Sequence, residues 1–251
     1  LYKDGEVEMQ ELEKTIQQKY ENILREIEAA KKRSQEAVRL VELVVVTKGH
    51  PAEVLRAAYR AGVRSFGENY PEETVEKMAA LAEFENVCWH MIGHLQSRKA
   101  RLVAEHFDII ESVDSLGLAV KLNERLTEFK RTLPVLLEVN VGGESSKFGF
   151  DASQPETWGD LLEPFQQIGG LANLNVLGLM TMPPIYENPE QSRPHFVQMR
   201  RLQTYLRERL AWMKWDELSM GTSYDFMVAV EEGATIVRVG TAIVGERPKK
   251  D

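Results

Sequence analysis

Lys48 is the residue with the most chemistry to offer. It follows Val44-Val45-Val46-Thr47, an apolar β-branched run, and so stands at the end of a strand. A lysine at the rim of a sheet is partly desolvated. Desolvation lowers its pKa and leaves a neutral amine able to attack a carbonyl. The plain alternative is a strand-end lysine snorkelling into solvent. Two further segments suit an anion. Ser219-Met220-Gly221-Thr222 and Gly240-Thr241 both close apolar runs; glycine lets the backbone approach an oxyanion, and hydroxyls add donors. Thr222 and Ser223 also read as helix caps. Arg238, inside 236–240, shares a strand face with Ile236 and Gly240. An arginine there needs a ligand, or an ion pair with a residue such as Glu138 or Glu111. An amine nucleophile, an anion cradle and an internal arginine together suit a carbonyl ligand that carries a phosphate. Pyridoxal 5′-phosphate fits, and so does a sugar-phosphate Schiff-base substrate.

Other chemistries find no support. His90 and His94 have i,i+4 spacing, which suits zinc only on a helix, and Trp89-His90-Met91-Ile92-Gly93 reads as strand and turn. There is no Gly-x-Gly-x-x-Gly, no phosphate-loop Gly-Lys-Ser/Thr and no nucleophile elbow. No metal is expected.

The elements that must position these groups repeat regularly. Strand candidates fall at 43–46, 65–67, 87–92, 109–113, 135–141, 176–180, 217–220 and 236–239. Helical patterns lie between them near 51–61, 71–83, 97–106, 115–129, 156–167, 190–212 and 224–232, with 241 onward free to supply an eighth. Nearly continuous apolar strands fit burial on both faces of a parallel sheet. Eight such repeats in about 210 residues predict a (β/α)8 barrel, with an open doubly wound sheet as the competing pattern. Barrel chemistry sits at the C-terminal strand ends. The site must therefore be drawn from Thr47-Lys48, Gly67-Glu68-Asn69, Gly93-His94, Asp114, Asn140, Thr181-Met182, Ser219 to Thr222 and Gly240-Thr241. Residues 6–39 form one further amphipathic helix, with Ile16, Tyr20, Ile23, Leu24, Ile27 and Ala30 on its apolar stripe and Lys31-Lys32-Arg33 as a solvated end. We expect one domain, 1–251, with residues 1–40 as a helical extension and 41–247 as the barrel.

Composition removes several classes. The chain has 251 residues, a net charge of −8 and one cysteine, Cys88. The acidic balance argues against nucleic-acid partners. One cysteine makes no internal disulfide, which suits a reducing cytoplasm. The richest apolar stretch, 40–46, is far short of a membrane span and contains Glu42. No signal peptide is evident, and the start at Leu1 rather than Met suits either a processed or an engineered end.

The motifs taken together have a recognisable order. Val44 to Lys48, Phe66-Gly67-Glu68-Asn69-Tyr70, 89–97, Glu138-Val139-Asn140-Val141, Ser146-Lys147-Phe148-Gly149, 177–182, Ser219-Met220-Gly221 and 237–241 closely resemble the YggS/PROSC family of pyridoxal-phosphate-binding proteins. The resemblance runs from about residue 40 to 246. It implies a barrel like the N-terminal domain of bacterial alanine racemases, with an added N-terminal helix. It implies a Schiff base on Lys48, phosphate contacts from Ser219, Gly221, Gly240 and Thr241, and Arg238 facing the pyridine nitrogen. Asn69, His90 and Met180 would line the pocket. It also implies a role in the homeostasis of pyridoxal phosphate and of amino and keto acids, without established turnover. The chain departs from the family pattern at Gly49-His50-Pro51, where Thr-Lys-Pro is common, at Gly142, where Ser is common, and at Thr222, where Met is common. Thr222 brings another hydroxyl to the phosphate.

An arginine beside the pyridine nitrogen disfavours its protonation and weakens the ring as an electron sink. Carbanion chemistry would then need a second acid/base group. Racemases take theirs, a tyrosine, from a second domain of the partner subunit, and residues after the last strand motif are too few here to supply one. The expectation is a monomer that binds the cofactor and passes it to apo-enzymes. The competing readings are a weak racemase or lyase, with Tyr70 or His90 as donor, and a Schiff-base aldolase.

Overall fold

Strands rich in Val, Ile and Leu on both faces are stable only when covered on both sides, and this rule builds the molecule. A computed structural model describes residues 2–34, 40–144 and 146–248, with side chains from residue 7 onward. Eight strands form the ring: β1 (Glu42–Val46), β2 (Ser65–Glu68), β3 (Cys88–Met91), β4 (Ile109–Val113), β5 (Leu133–Asn140), β7 (Leu174–Met180), β8 (Glu217–Thr222) and β9 (Ile236–Val239). A two-residue strand, β6 (Phe150–Asp151), lies beside the end of β5. Every pairing is parallel. β9 pairs with β1 and β4 with β5, so the sheet closes into a TIM barrel and the open doubly wound sheet is excluded.

Helices α2 (Ala52–Arg60), α3 (Pro71–Ala80), α4 (Ala100–His106), α5 (Leu116–Phe129), α6 (Leu162–Gly169), α7 (Arg193–Arg209), α8 (Phe226–Glu231) and α9 (Thr241–Val244) follow the strands. The helical patterns at 97–106, 156–167 and 190–212 each open as a tight 3₁₀ segment: Ser97–Lys99, Pro155–Leu161 and Pro189–Ser192. Between the ring and its helices lies a continuous apolar layer that includes Phe66, Phe107, Leu122, Phe165 and Phe196. The barrel lumen holds a separate, smaller cluster of Val44, Leu136, Met180 and Ile236.

The first helix, α1 (Tyr2–Arg33), buries Ile16, Ile23, Ile27 and Ala30. It packs against α2, α8 and α9, covering the wall around β9 and β1. Its end is pinned by Arg33, whose Nε lies 2.6 Å from Glu231 Oε1. The remainder of the expected helix, 35–39, lies outside the described residues. Among the described residues, no helix is long and apolar enough to cross a membrane.

Two strand ends differ from expectation in a way that matters for the site. β8 runs two residues past the expected 217–220, through Gly221 to Thr222, so Ser219 lies deeper in the strand than expected. β3 ends at Met91, so Ile92 rises above it toward the mouth.

Candidate functional site

The C-terminal mouth of the barrel opens on a cavity of about 210 Å³. Lys48, Asn69, Thr222, Arg238, Gly240 and Thr241 line it. The other residues nominated from sequence, His90, Met180, Ser219 and Gly221, lie outside its lining.

Lys48 is placed by its neighbour. Thr47 is fully buried on the outer face, where its Oγ1 donates to Glu68 Oε1 at 2.7 Å and its carbonyl accepts from Lys77 Nζ at 3.0 Å. Alternation then turns Lys48 inward, onto the cavity. Burial, reinforced by the charges of Arg247 and Arg238, lowers its pKa below the ordinary lysine value. Both effects favour the neutral, nucleophilic amine.

The opposite wall is built from the two turns after β8 and β9. Gly240 N–H donates to Ser223 Oγ at 3.1 Å, which ties the turns together. Asp225 accepts from Thr222 N–H at 2.8 Å and from its hydroxyl at 3.1 Å. Gly221 has φ +94°, and a Cβ there would lie 2.6 Å from Ala229 Cβ and 2.9 Å from Phe226 Cα. Its missing side chain lets α8 seat directly against the turn. The result is a concave wall of Thr222, Ser223, Gly240 and Thr241 in which the Thr222 donors and the Gly240 N–H brace the turns and the Ser223 and Thr241 hydroxyls remain as donors.

Arg238 forms the inner wall while only 3% exposed. Its Nη2 donates to the Thr181 carbonyl at 2.8 Å, its Nη1 donates to Ser219 Oγ, and Nη1 lies 3.6 Å from Glu111 Oε2. The ion pair expected as the alternative to a ligand role therefore exists, with Glu111, on an arginine that also borders the cavity. Burial lowers the Arg238 pKa, and Glu111 and Glu138 oppose that fall.

The remaining nominated residues sit lower in the barrel. Ser219 is fully buried, bridging Arg238 and Glu111. Met180 belongs to the lumen cluster. His90, 1% exposed, holds Glu111 through Nδ1 at 2.7 Å. Tyr70 is exposed and also outside the lining. Asn69 seats closely because Gly93 has no side chain; a Cβ there would meet Asn69 Cβ at 2.7 Å. Its Oδ1 is buried with no hydrogen-bond partner among the described residues. His94 and Asp114 pair with each other at 2.8 Å, and the His94 ring stacks on Phe148.

Several lining residues escaped the sequence reading: His50, Lys147, Tyr186, Asp225 and Arg247. Lys147 had a signal in the Ser146-Lys147-Phe148-Gly149 motif and His50 in the departure at Gly49-His50-Pro51, and Pro183-Pro184 form a rigid segment after β7 that walls the cavity beside Met182. Glu138, on the inward face of β5, was named as a possible partner for Arg238 and as part of the 138–141 motif, but not as a site residue. It is 9% exposed, its Oε2 has no partner among the described residues, and burial with help from Asp114 pushes its pKa up to about 7.

Comparison with known proteins gives a consistent answer. The family model for the alanine racemase N-terminal domain matches residues 19–248. A pyridoxal phosphate homeostasis protein of Vibrio cholerae is 40% identical over 237 residues, 93% of this chain and 97% of the relative. PipY of Synechococcus elongatus, solved with PLP bound, superposes with a TM-score of 0.80 at 35% identity, covering 92% of this chain and 100% of PipY. An alanine racemase of Clostridium difficile matches in fold alone, with a TM-score of 0.67 at 16% identity, over 95% of this chain and 58% of the racemase. By sequence and by fold, this chain belongs to the alanine racemase N-terminal domain family and, within it, to the pyridoxal phosphate homeostasis proteins.

Proposed function

We propose that the chain binds pyridoxal 5′-phosphate in the barrel-mouth cavity, carries it as a Schiff base on Lys48, and serves the homeostasis of this cofactor and of amino and keto acids. The observation that carries the reading is the placement of one desolvated lysine and the Thr222-Ser223/Gly240-Thr241 wall on a single cavity. The residues fit the group. The wall supplies uncharged donors for a phosphate, Asn69 Oδ1 has an unused acceptor, and Arg238 brings a cation to the inner end. When bound, the cofactor supplies an aldehyde for the amine and an electron-withdrawing ring.

The roles of the chain's own groups follow from their chemistry. Lys48, its pKa lowered by burial, would be the amine that condenses with the aldehyde, releasing water. The wall of Thr222, Ser223, Gly240 and Thr241 would hold and orient the phosphate, with Gly221 letting α8 seat against it. Arg238 would face the ring nitrogen; a guanidinium accepts no proton, and its charge disfavours one on the ring. Ser219 and His90 act behind it, and Met180 packs the floor. At a net charge of −8, attraction for the anionic cofactor is local to this wall. The protein works as a cytoplasmic monomer that hands the cofactor to apo-enzymes. The racemase or lyase reading lacks support from its two nominated donors, because neither Tyr70 nor His90 reaches the cavity lining.

Absorption spectroscopy tests the central claim. The protein mixed with pyridoxal phosphate should show a visible Schiff-base band that Lys48→Ala abolishes. Persistence of the band in that variant would sink the Lys48 assignment. Reactivation of a stripped cofactor-dependent enzyme by the loaded protein tests the carrier role, and turnover of an amino-acid panel would overturn it in favour of catalysis.

A further inference from the structure

The barrel lumen contains a polar column that the cavity itself does not require. It starts at Arg238, whose Nη1 donates to Ser219 Oγ. The Ser219 hydroxyl donates in turn to Glu111 Oε2 at 2.5 Å, and the other carboxylate oxygen of Glu111 meets His90 Nδ1 at 2.7 Å. Arg238, Ser219, Glu111 and His90 are all 3% exposed or less. Below them, His90 Nε2 lies 3.3 Å from Glu42 Oε1 without a hydrogen bond, and the Glu42 side chain is 41% exposed at the far end of the barrel. The column thus runs from the cavity wall nearly to solvent on the opposite face.

Such a column is costly to build. Its neighbours in the lumen are Val44, Leu136, Met180 and Ile236, and a buried ion pair is often less stable than apolar residues of the same volume. TIM barrels ordinarily fill this space with branched apolar side chains. A guanidinium carries its donors in one rigid plane. Here the Thr181 carbonyl and the Ser219 hydroxyl set that plane. Glu111 supplies the countercharge and fixes the serine, and His90 locks Glu111 from behind. Burial opposes a charged His90, but its neighbours Cys88, Glu111 and Glu42 outweigh it and hold the ring well above the usual histidine value. His90 and Glu111 therefore act as one clamped pair.

We propose that Glu111, clamped by His90, is the positioning residue for Arg238, fixing the plane and charge of the guanidinium and through it the electronic state of the bound cofactor ring. The inference rests on the reading that the cavity binds pyridoxal phosphate with Arg238 at the ring nitrogen.

The test is a double-mutant cycle on the full chain, read by the affinity for pyridoxal phosphate and by the absorption maximum of the bound form. Glu111→Gln should weaken binding by roughly tenfold and move the maximum. Glu111→Asp, which keeps the charge, should restore part of both. In an Arg238→Gln background the Glu111→Gln change should have little further effect, because its partner is already gone. Wild-type affinity and spectrum in Glu111→Gln, or an undiminished effect in the Arg238→Gln background, would overturn the proposal. Ser219→Ala leaves every charge in place and breaks the same link, so it answers the question if the glutamine variant does not fold. An unmoved spectrum in it also counts against the proposal. Lys48→Ala and Arg238→Gln, measured alongside, separate the two levels. If both retain normal binding, the cavity reading itself fails; if both lose it while Glu111→Gln and Ser219→Ala are silent, only the positioning role fails.

Discussion

Replacing Glu138 by glutamine isolates what the molecule gives up to keep a carboxyl group at the cavity end of β5. Glu138 is 9% exposed, and its pKa rises from 4.5 to about 7 through burial first and then the neighbouring charge of Asp114. Between these two values the folded protein holds a proton that the unfolded chain has released. Folding then takes up a proton, so this group's contribution to stability falls as pH rises from 4.5 to about 7 and levels off above. The gap between 4.5 and about 7, at about 1.4 kcal/mol per pH unit, corresponds to about 3 kcal/mol of destabilisation once Glu138 is ionised. Glutamine has nearly the same shape and no proton to lose. Urea unfolding of the apo protein should therefore find Glu138→Gln within about 0.5 kcal/mol of wild type near pH 4.5, and about 3 kcal/mol more stable near pH 8.5. A difference that does not change with pH, or a wild type that is the more stable at high pH, would refute the argument that Glu138 is a desolvated carboxyl group.

Further outcomes follow from other sites. Lys77→Met should destabilise the fold by about 3–5 kcal/mol in denaturant titrations. Lys77 Nζ, 2.8 Å away, is the ion-pair partner of fully buried Glu68, whose Oε2 is already without a hydrogen bond among the described residues; adding Glu68→Gln should recover much of the loss. Gly221→Ala forces a Cβ within 2.6 Å of Ala229 Cβ at φ +94°. The expected loss is about 1–3 kcal/mol of stability, with weakened affinity for inorganic phosphate as the turn shifts. Because the Lys48 pKa is lowered by burial, its neutral fraction at neutral pH exceeds that of a surface lysine. Brief exposure to pyridoxal phosphate followed by borohydride should label Lys48 before exposed Lys14, as read by peptide mass spectrometry. Equal labelling of the two would count against a perturbed amine.

Local pattern alone settles a good deal of this protein. The alternation of β-branched runs with amphipathic segments specifies strand and helix, because side-chain periods of 2 and 3.6 are properties of the local backbone. The same alternation puts Lys48, Gly240 and Arg238 on inward faces, and the chemistry of a desolvated amine beside glycine and hydroxyl turns is readable from residue type. Ring closure is not readable, because the β4–β5 and β9–β1 pairings depend on cumulative twist and stagger that no single segment records. Height along the barrel axis is hidden for the same reason. Period-2 alternation says that Ser219 and His90 point inward; only the stagger of the strands decides that they lie beneath the cavity, against Glu111, and do not line it. Contacts between distant positions complete the site: Ser219 and Glu111 are 108 residues apart in sequence, and His50, Lys147, Tyr186 and Arg247 converge from unrelated loops. The perturbed Glu138 belongs to this second class as well, since its pKa measures the desolvation and charge of its surroundings, which exist only once the barrel has closed.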